Sequence, residues 1–438
     1  MSSPRKAPEI APFAEPLWHT RPTEAYYNDS HIRLRDTIRA YISEKITPNC
    51  AEWEEQGFVP AKVLLEHSLR GFTAVTVNPA AIGPYLGDIK LPSGIKPEQW
   101  DAFHDLICID EIARCGYLGV IWALGCGDAI GLPPVINFGT EAQKRQFLPK
   151  VIQGQSRFCL AVTEPDAGSD VSNIAATAER KGDVYIVNGA KKWITNGMWA
   201  SYSTTAVRTG GPGKGGISAL IIPLTSKGVT RRKILNSGVS ASGSTYIEFD
   251  DVEVPVSNLL GKENQGFKII MSSLRLARTC LQDAYSYALS RETFGTALIN
   301  HQAIRSKFTT MGASILPAHA FMESIVALSN NASQSSTKTN NQNKEIVPDA
   351  KPAQIGGLVA LLKVIAGRAL EQTVREAQQI MGGLGYSRTG KGARIEQISR
   401  DVRVMVVGGG SEEILSELAF AQEGRDLMAA RPKGKSML

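Results

Sequence analysis

Toward its carboxyl end the chain reads VMVVGGGSEEI, from Val404 to Ile414. Three glycines followed by a hydroxyl and two carboxylates admit two kinds of chemistry. A glycine-rich loop that opens a helix can wrap phosphate oxygens with its N–H groups. The same glycines can instead let a carbonyl substrate approach the backbone where a reactive side chain is missing. The first option lacks the G-x-x-x-x-G-K-[ST] spacing, and Glu412 and Glu413 directly after the glycines would repel phosphate. A second group lies mid-chain. LAVTEPDAGSD, Leu160 to Asp170, runs from a strand into a Pro-Asp-Ala-Gly-Ser turn carrying the hydroxyls of Thr163 and Ser169. Such a turn can hold polar ring edges or phosphate oxygens, and it also reads as a plain structural turn. WITNG, Trp193 to Gly197, adds an aromatic plate and a nearby hydroxyl. Strand alternation sends Trp193 and Thr195 to the same face. A planar cofactor would use that pairing, while a core tryptophan is the commoner explanation for any one Trp.

Three stretches of different periodicity must position these residues. Residues 1–25 read as a flexible arm. From 26 to 156 the spacing is helical: HIRLRDTIRAYISEKI repeats apolar residues at three and four, and WDAFHDLICIDEIARCGYLGVIWALG reads as one long buried helix. Thr140 followed by Gln143 predicts a capping box for TEAQKRQFLPKVIQG. From 157 to 262 the period becomes two, with strands predicted in RFCLAVT, NIAATAER, DVYIVNGAKKWIT, ASYSTTAVR, ISALIIPL and STYIEFDDVEV. With no long helices between them, these strands are expected to pair antiparallel as a barrel or sandwich. From 263 to 425 long helical patterns on short connections predict a bundle. A polar stretch at 329–349 within it is expected to be a mobile loop, and 426–438 to be a tail.

Composition narrows the classes. The chain has 438 residues, 43% hydrophobic and 21% charged, with a net charge of +6 spread along it. A nucleic-acid binder would gather its basic residues into a stripe; here Arg231, Arg232 and Lys233 read as a solvated strand end. No run approaches the roughly 18 unbroken apolar residues of a membrane span. The six cysteines include no C-x-x-C pair and read as reduced thiols. The six histidines are scattered, so no metal site is expected. The amino terminus lacks the pattern of a mitochondrial presequence. The Ser436-Met437-Leu438 ending approximates a peroxisomal address with Met in place of the basic residue, so peroxisome or cytoplasm is the expected location.

VTEPDAGSD, WITNG, SRETFG followed by HQ, and QQIMGGLGYSRTGKGARIEQISRDVRV, in that order, resemble the acyl-CoA dehydrogenase flavoproteins. The resemblance runs from the first helices to Gln422 and implies an α+β, mostly α fold. Its parts are an N-terminal helical domain, a middle antiparallel β-barrel and a C-terminal four-helix bundle, with FAD between barrel and bundle. Carried over, Leu160, Ala161, Val162, Thr163 and Ser169 together with Trp193, Ile194 and Thr195 would contact the flavin and its ribityl chain. Ser169 would also touch acyl-CoA. Arg291 and Gln302 resemble a pair that binds the cofactor's pyrophosphate and adenosine from a neighbouring subunit. Gln379, Ile380, Met381, Gly382 and Gly383 resemble the loop over the adenine half. A homodimer or dimer of dimers is implied, with an electron-transferring flavoprotein or O2 as electron acceptor.

In much of this family a glutamate in the stretch matching VMVVGGGSEEI removes the α-proton of the thioester. Aligned on Arg400-Asp401 and Ile414, that position is Gly409, and Ser411 matches a flavin-contacting hydroxyl. Glu412 and Glu413 lie about 5 Å further along a helix and are the remaining candidates for the base. Gly409 keeps a backbone N–H to offer the thioester carbonyl. Some family members supply the base from the first bundle helix instead. Here GFKIIMSS passes almost at once to LRLARTCLQDAYSYALSRETFG, about three helical turns shorter than the family pattern. Arg275 reads as a bundle position there. Three readings follow: a desaturase with an unorthodox base, an impaired or silent flavin-binding copy, and a reading of the gene that omits a segment. An offshoot that oxidises nitroalkanes or acyl-ACP is a further rival. The polar insert and the lack of a mitochondrial presequence pattern would suit a fungal peroxisomal or secondary-metabolism member.

Overall fold

The computed structural model describes residues 11–20, 26–77, 79–262, 276–293, 295–337 and 355–429, in two compact units. The sheet unit comprises Ile32–Trp100 and Ile107–Met271; the bundle unit comprises Met1–His31, Asp101–Leu106 and Ser272–Leu438. Arg275 with the shortened stretch, most of the polar insert, and the Ser436–Leu438 ending lie outside the described residues.

The amphipathic pattern after Asn28 forms α1 (Asp29–Tyr41), which widens into a π-helical turn at Ile42–Ile46. The long helix predicted from Trp100 onward is interrupted. It consists of α2 (Ala102–Ile112) and α3 (Leu118–Gly131), because the chain turns at Gly116 with φ +77°. That left-handed conformation is the usual way a helix ends at glycine. α4 (Glu141–Ile152) starts with the predicted capping box: Gln143 N–H donates to Thr140 Oγ1 at 3.2 Å, and Thr140 N–H donates to Gln143 Oε1 at 2.8 Å.

α3 lies directly against the first strand. A Cβ at Gly127 would stand 2.5 Å from Phe158 O, and one at Gly131 would stand 2.8 Å from Cys159 O. Two helical segments, Leu118–Phe138 and Gln302–Asn330, have the length and composition of a membrane span, although polar residues interrupt both. In the first, 67% of the apolar window is buried within the fold.

The sheet has eight strands: β1 (Phe158–Ala161), β2 (Thr177–Lys181), β3 (Val184–Ile194), β4 (Tyr202–Arg208), β5 (Ile217–Pro223), β6 (Val229–Lys233), β7 (Thr245–Pro255) and β8 (Leu259–Leu260). Their order is β6-β7-β3-β2-β4-β5-β8, with β1 added beside β4. The expectation of purely antiparallel pairing is corrected here, since β1 and β2 both pair parallel to β4. The chain between β1 and β4 supplies the long crossover that parallel pairing requires. β6 and β8 were not predicted as whole strands; one is mostly polar and the other only two residues long. Tyr185 and Val187 of β3, Phe249 and Val254 of β7, Leu220 and Ile222 of β5, and Ala161 of β1 share one core. Strands distant in the order therefore close around the same side chains, as in a barrel.

In the bundle unit, α5 (Leu276–Ser290) leads through a small hairpin, β9 (Glu292–Thr293) with β10 (Thr296–Ala297), into α6 (Gln302–Thr337). α6 runs several residues into the polar stretch that was expected to be loop. α7 (Gly356–Met381), α8 (Ala393–Val407) and α9 (Glu412–Ala429) follow. α7 touches α5, α6, α8 and α9. Its small buried residues allow that approach: Ala360 and Val364 share a cluster with Leu415 and Ala419 of α9.

Candidate functional site

Two groups of predicted residues lie in the sheet unit, tied together by one lysine. After β1 the chain turns, and the Glu164 carboxylate points inward with the residue 5% exposed. Its Oε1 accepts from Ala176 N–H at 3.0 Å, and its Oε2 accepts from Ala175 N–H at 2.6 Å. Lys191 of β3, fully buried, donates its Nζ to Glu164 Oε1 at 2.7 Å and to Val162 O at 3.0 Å. Burial pulls the Lys191 amine down to about 8, against the raising pull of Glu164. The next residue adds two bonds: Thr163 Oγ1 donates to Lys192 O at 2.5 Å, and Lys192 N–H donates to Thr163 O at 2.8 Å.

The alternation expected of Trp193 and Thr195 does not hold. The β3–β7 register slips between Lys191 and Ile194, Trp193 adopts φ +67°, and β3 stops at Ile194. A bulge of this kind re-aims side chains. Ile194 is buried in the core, Thr195 is half-buried in the following turn, and the Trp193 residue is 54% exposed. Lys192 Nζ lies 5.0 Å from the Trp193 ring centroid. Asn196, also left-handed at φ +61°, anchors the turn: its N–H and its Nδ2 donate to Ser242 O at 2.9 and 2.8 Å, and its Oδ1 accepts from Gly127 N–H at 2.8 Å. Ala161, Val162 and Ile194 are buried, so they offer a ligand mainly backbone. Leu160 and Thr163 are half-buried and Ser169 is exposed. The hydroxyls of Ser169 and Thr195 have no hydrogen-bond partner among the described residues.

The glycine turn lies in the bundle unit. Gly408 ends α8 by donating its N–H to Val404 O at 2.8 Å. Gly409 and Gly410 have φ +68° and +103°, and a Cβ on Gly409 would meet nothing within 4 Å. Their N–H groups find no acceptor among the described residues. Ser411 starts α9, its carbonyl accepting from Leu415 N–H at 3.0 Å. Of the two carboxylates proposed as a base, one is paired and the other is exposed. Glu412 Oε1 accepts from Arg368 Nε at 2.9 Å, and Glu413 is exposed and accepts from its own N–H and the Ser411 hydroxyl, which hold its carboxyl below the usual range.

Arg291 and Gln302 flank the β9–β10 hairpin, closed by Leu298 N–H donating to Arg291 O at 2.7 Å. Both side chains are exposed, and the Arg291 guanidinium has no acceptor among the described residues. At the end of α7, Gln379, Gly382 and Gly383 are exposed, whereas Ile380 and Met381 are buried.

The histidines are less scattered than their spacing implied. His31 Nε2 and His104 Nδ1 lie 3.1 and 2.7 Å from Asp101 Oδ1. The backbone N–H of Asn28 donates into His31 Nδ1 at 3.0 Å, which leaves the His31 proton on Nε2 toward Asp101. A zinc-bound imidazole instead needs its second nitrogen protonated and donating. The arrangement is a hydrogen-bonded knot at two helix starts, with Asp101 capping α2 through the N–H groups of Phe103 and His104, each at 3.0 Å.

Sequence reasoning passed over Lys191, Glu164, Asn196 and Lys363, whose role is set out below. Lys191 and Glu164 stood inside quoted motifs, but their pairing across 27 positions has no local signal in the sequence.

Family models of the acyl-CoA dehydrogenase N-terminal, middle and C-terminal domains match residues 28–155, 159–252 and 264–422. Acyl-CoA dehydrogenase AFT10-1 of Alternaria alternata is 51% identical, over 95% of this chain and 96% of that protein. A probable acyl-CoA dehydrogenase from Mycobacterium abscessus superposes with TM-score 0.76 at 32% identity, covering 91% of this chain and 100% of its own. A Bacillus anthracis acyl-CoA dehydrogenase solved in complex with FAD superposes with TM-score 0.78 at 24% identity, covering 94% of this chain and 72% of its own. The chain belongs to the acyl-CoA dehydrogenase family of oxidoreductases.

Proposed function

We propose that the protein binds FAD and desaturates an acyl-CoA thioester between Cα and Cβ, giving the trans-enoyl product, with no carboxylate at the usual base position. The observation that carries the flavin assignment is Trp193, a bulky residue held at φ +67° with its indole exposed. A non-glycine residue in that conformation costs on the order of 1 kcal/mol and points to a functional constraint. Beside it in sequence stands the Thr195 hydroxyl, which, like that of Ser169, lacks a partner among the described residues. A flat apolar face with free hydroxyls suits a planar ring with polar edges. The residues that would hold the flavin and ribityl chain are Leu160, Ala161, Val162, Thr163, Ser169, Trp193, Ile194 and Thr195, with Ser411 as a further flavin contact. Arg291 and Gln302 of a neighbouring subunit would hold the pyrophosphate and adenosine, and Gln379, Ile380, Met381, Gly382 and Gly383 would close over the adenine half. When bound, FAD supplies the acceptor for the hydride leaving Cβ.

Gly409 would donate its unpaired N–H to the thioester oxygen and so stabilise charge developing there. Ser169 would also contact the acyl-CoA. In this reading neither Glu412, paired with Arg368, nor Glu413, one position further along α9, takes the α-proton. Loss of a general base costs roughly 10²- to 10⁴-fold in rate, so turnover is slow by this account. The same vacancy favours a second reading, a flavin-binding protein that turns over nothing. A homodimer or dimer of dimers, with an electron-transferring flavoprotein or O2 as acceptor, completes the proposal. Purified protein is expected to carry FAD near one per chain, and anaerobic titration with a panel of acyl-CoA thioesters to bleach it. Flavin that no thioester bleaches would favour the silent reading, and protein that retains no flavin would overturn both.

A further inference from the structure

Behind the glycine turn stands one lysine of α7. Lys363 is half-buried, and its Nζ donates to Gly410 O at 2.7 Å and to Val406 O at 3.2 Å. These two carbonyls bracket Gly409. Among the described residues no other side chain hydrogen-bonds residues 406–410.

Glycine loses more conformational freedom on ordering than any other residue, so three in a row need an outside constraint to hold one shape. Gly408 is fixed by Val404 at the end of α8, and Ser411 by its place at the start of α9. Gly409 and Gly410 lie between, in left-handed backbone. We infer that Lys363 is a positioning residue: by holding the carbonyls of Val406 and Gly410 it fixes the turn so that the Gly409 N–H faces the thioester oxygen. The inference rests on the function proposed above and names the residue that sets up its oxyanion donor. Desolvation also lowers the Lys363 amine from its ordinary value. A neutral amine could still donate to both carbonyls and keep a lone pair, which defines the competing role of proton acceptor.

The test uses the full-length, FAD-loaded protein and the variants Lys363→Met, Lys363→Arg and Lys363→Gln. Amide hydrogen exchange is followed by mass spectrometry in peptides covering 404–414, with octanoyl-CoA binding and the pH profile of flavin reduction measured alongside. Lys363→Met is expected to speed exchange in those peptides and to weaken octanoyl-CoA binding, each by about tenfold, as for loss of a hydrogen bond to a charged group. Lys363→Arg is expected to restore much of both and leave the pH profile in place. Lys363→Gln, whose shorter uncharged side chain does not span to both carbonyls, carries the test if Lys363→Met does not fold. Unchanged exchange in Lys363→Met or, in its place, Lys363→Gln overturns the inference. So does loss of a pH limb that Lys363→Arg does not rescue, because that assigns the lysine as the base. If the parent protein binds no acyl-CoA, the proposed function fails, while the exchange result still decides whether Lys363 fixes the turn.

Discussion

Lys191 and Glu164 form a buried ion pair of 2.7 Å that joins the loop after β1 to the end of β3. The pair orders the two segments proposed to hold the flavin, since Lys191 also holds Val162 O and Glu164 also holds the N–H groups of Ala175 and Ala176. Removing one partner from such a pair leaves a buried charge uncompensated and costs about 3–5 kcal/mol. Lys191→Met is expected to lose that much in urea unfolding, and Lys191→Met/Glu164→Gln less than the sum of the single changes. A loss under about 1 kcal/mol for Lys191→Met would mean that the pair does not order these segments.

Gly127 tests the contact between α3 and β1. Its substitution by alanine places a methyl 2.5 Å from Phe158 O. Backbone cannot yield as a side-chain tip can, so about 1–3 kcal/mol should be lost. Thermal unfolding measures it; a variant as stable as the parent would show that α3 can shift away from the strand.

Much of this fold was legible because its elements are long and regular. The apolar periodicity of α7, the alternation in β3 and β7 and the Thr140–Gln143 box are local signals, and the structure carries each of them. What was missed depends on partners far away in sequence. α8 is amphipathic but rich in charge, and it packs partly through ion pairs: Arg400 Nε with Glu396 Oε1 one turn away at 2.9 Å, and Arg394 Nε with the distant Asp283 Oδ2 at 2.6 Å. The parallel pairing of β1 with β4 follows from chain tracing that no local period encodes. Lys191 looked like the polar side of a strand and Lys363 like the polar face of a helix, because an inward-facing lysine differs from a solvated one only in what it meets. The candidate site owed more to family resemblance than to local chemistry, and the bulge at Trp193 broke the one geometric argument made for it.

Acid should weaken the bundle unit through the His31–Asp101–His104 knot. Burial alone would raise the Asp101 carboxyl, but hydrogen bonds from His104 and His31 outweigh it and hold it well below the usual range. Burial lowers His104 despite the pull of Asp101. In both cases the unfolded chain takes up protons first, so both contributions fall as pH drops. His104 begins to lose its share below its ordinary value of 6.5, and Asp101 below 3.8. The urea midpoint is expected to decline below about pH 6.5, less steeply in His104→Gln. A midpoint that rises on acidification would contradict the assignment.

Glu412 and Glu413 are tested directly by replacement. With Glu412 held by Arg368 and Glu413 held by Ser411, Glu412→Ala and Glu413→Ala should each leave the rate of flavin reduction within about twofold, far from the 10²-fold or greater loss of a general base. Because Arg368–Glu412 is a largely exposed pair, stability should change by less than about 1 kcal/mol. A hundredfold fall in rate for either variant would identify the base and remove the vacancy.

The most direct test restores the missing acid. Gly409 has open space where a Cβ would stand but a left-handed backbone, φ +68°. Gly409→Glu should therefore fold with a penalty of about 1–2 kcal/mol. In stopped-flow reduction by an acyl-CoA, the parent protein is expected to bleach slowly and Gly409→Glu at least about 10²-fold faster. Rapid bleaching of the parent, with no gain in the variant, would contradict the account.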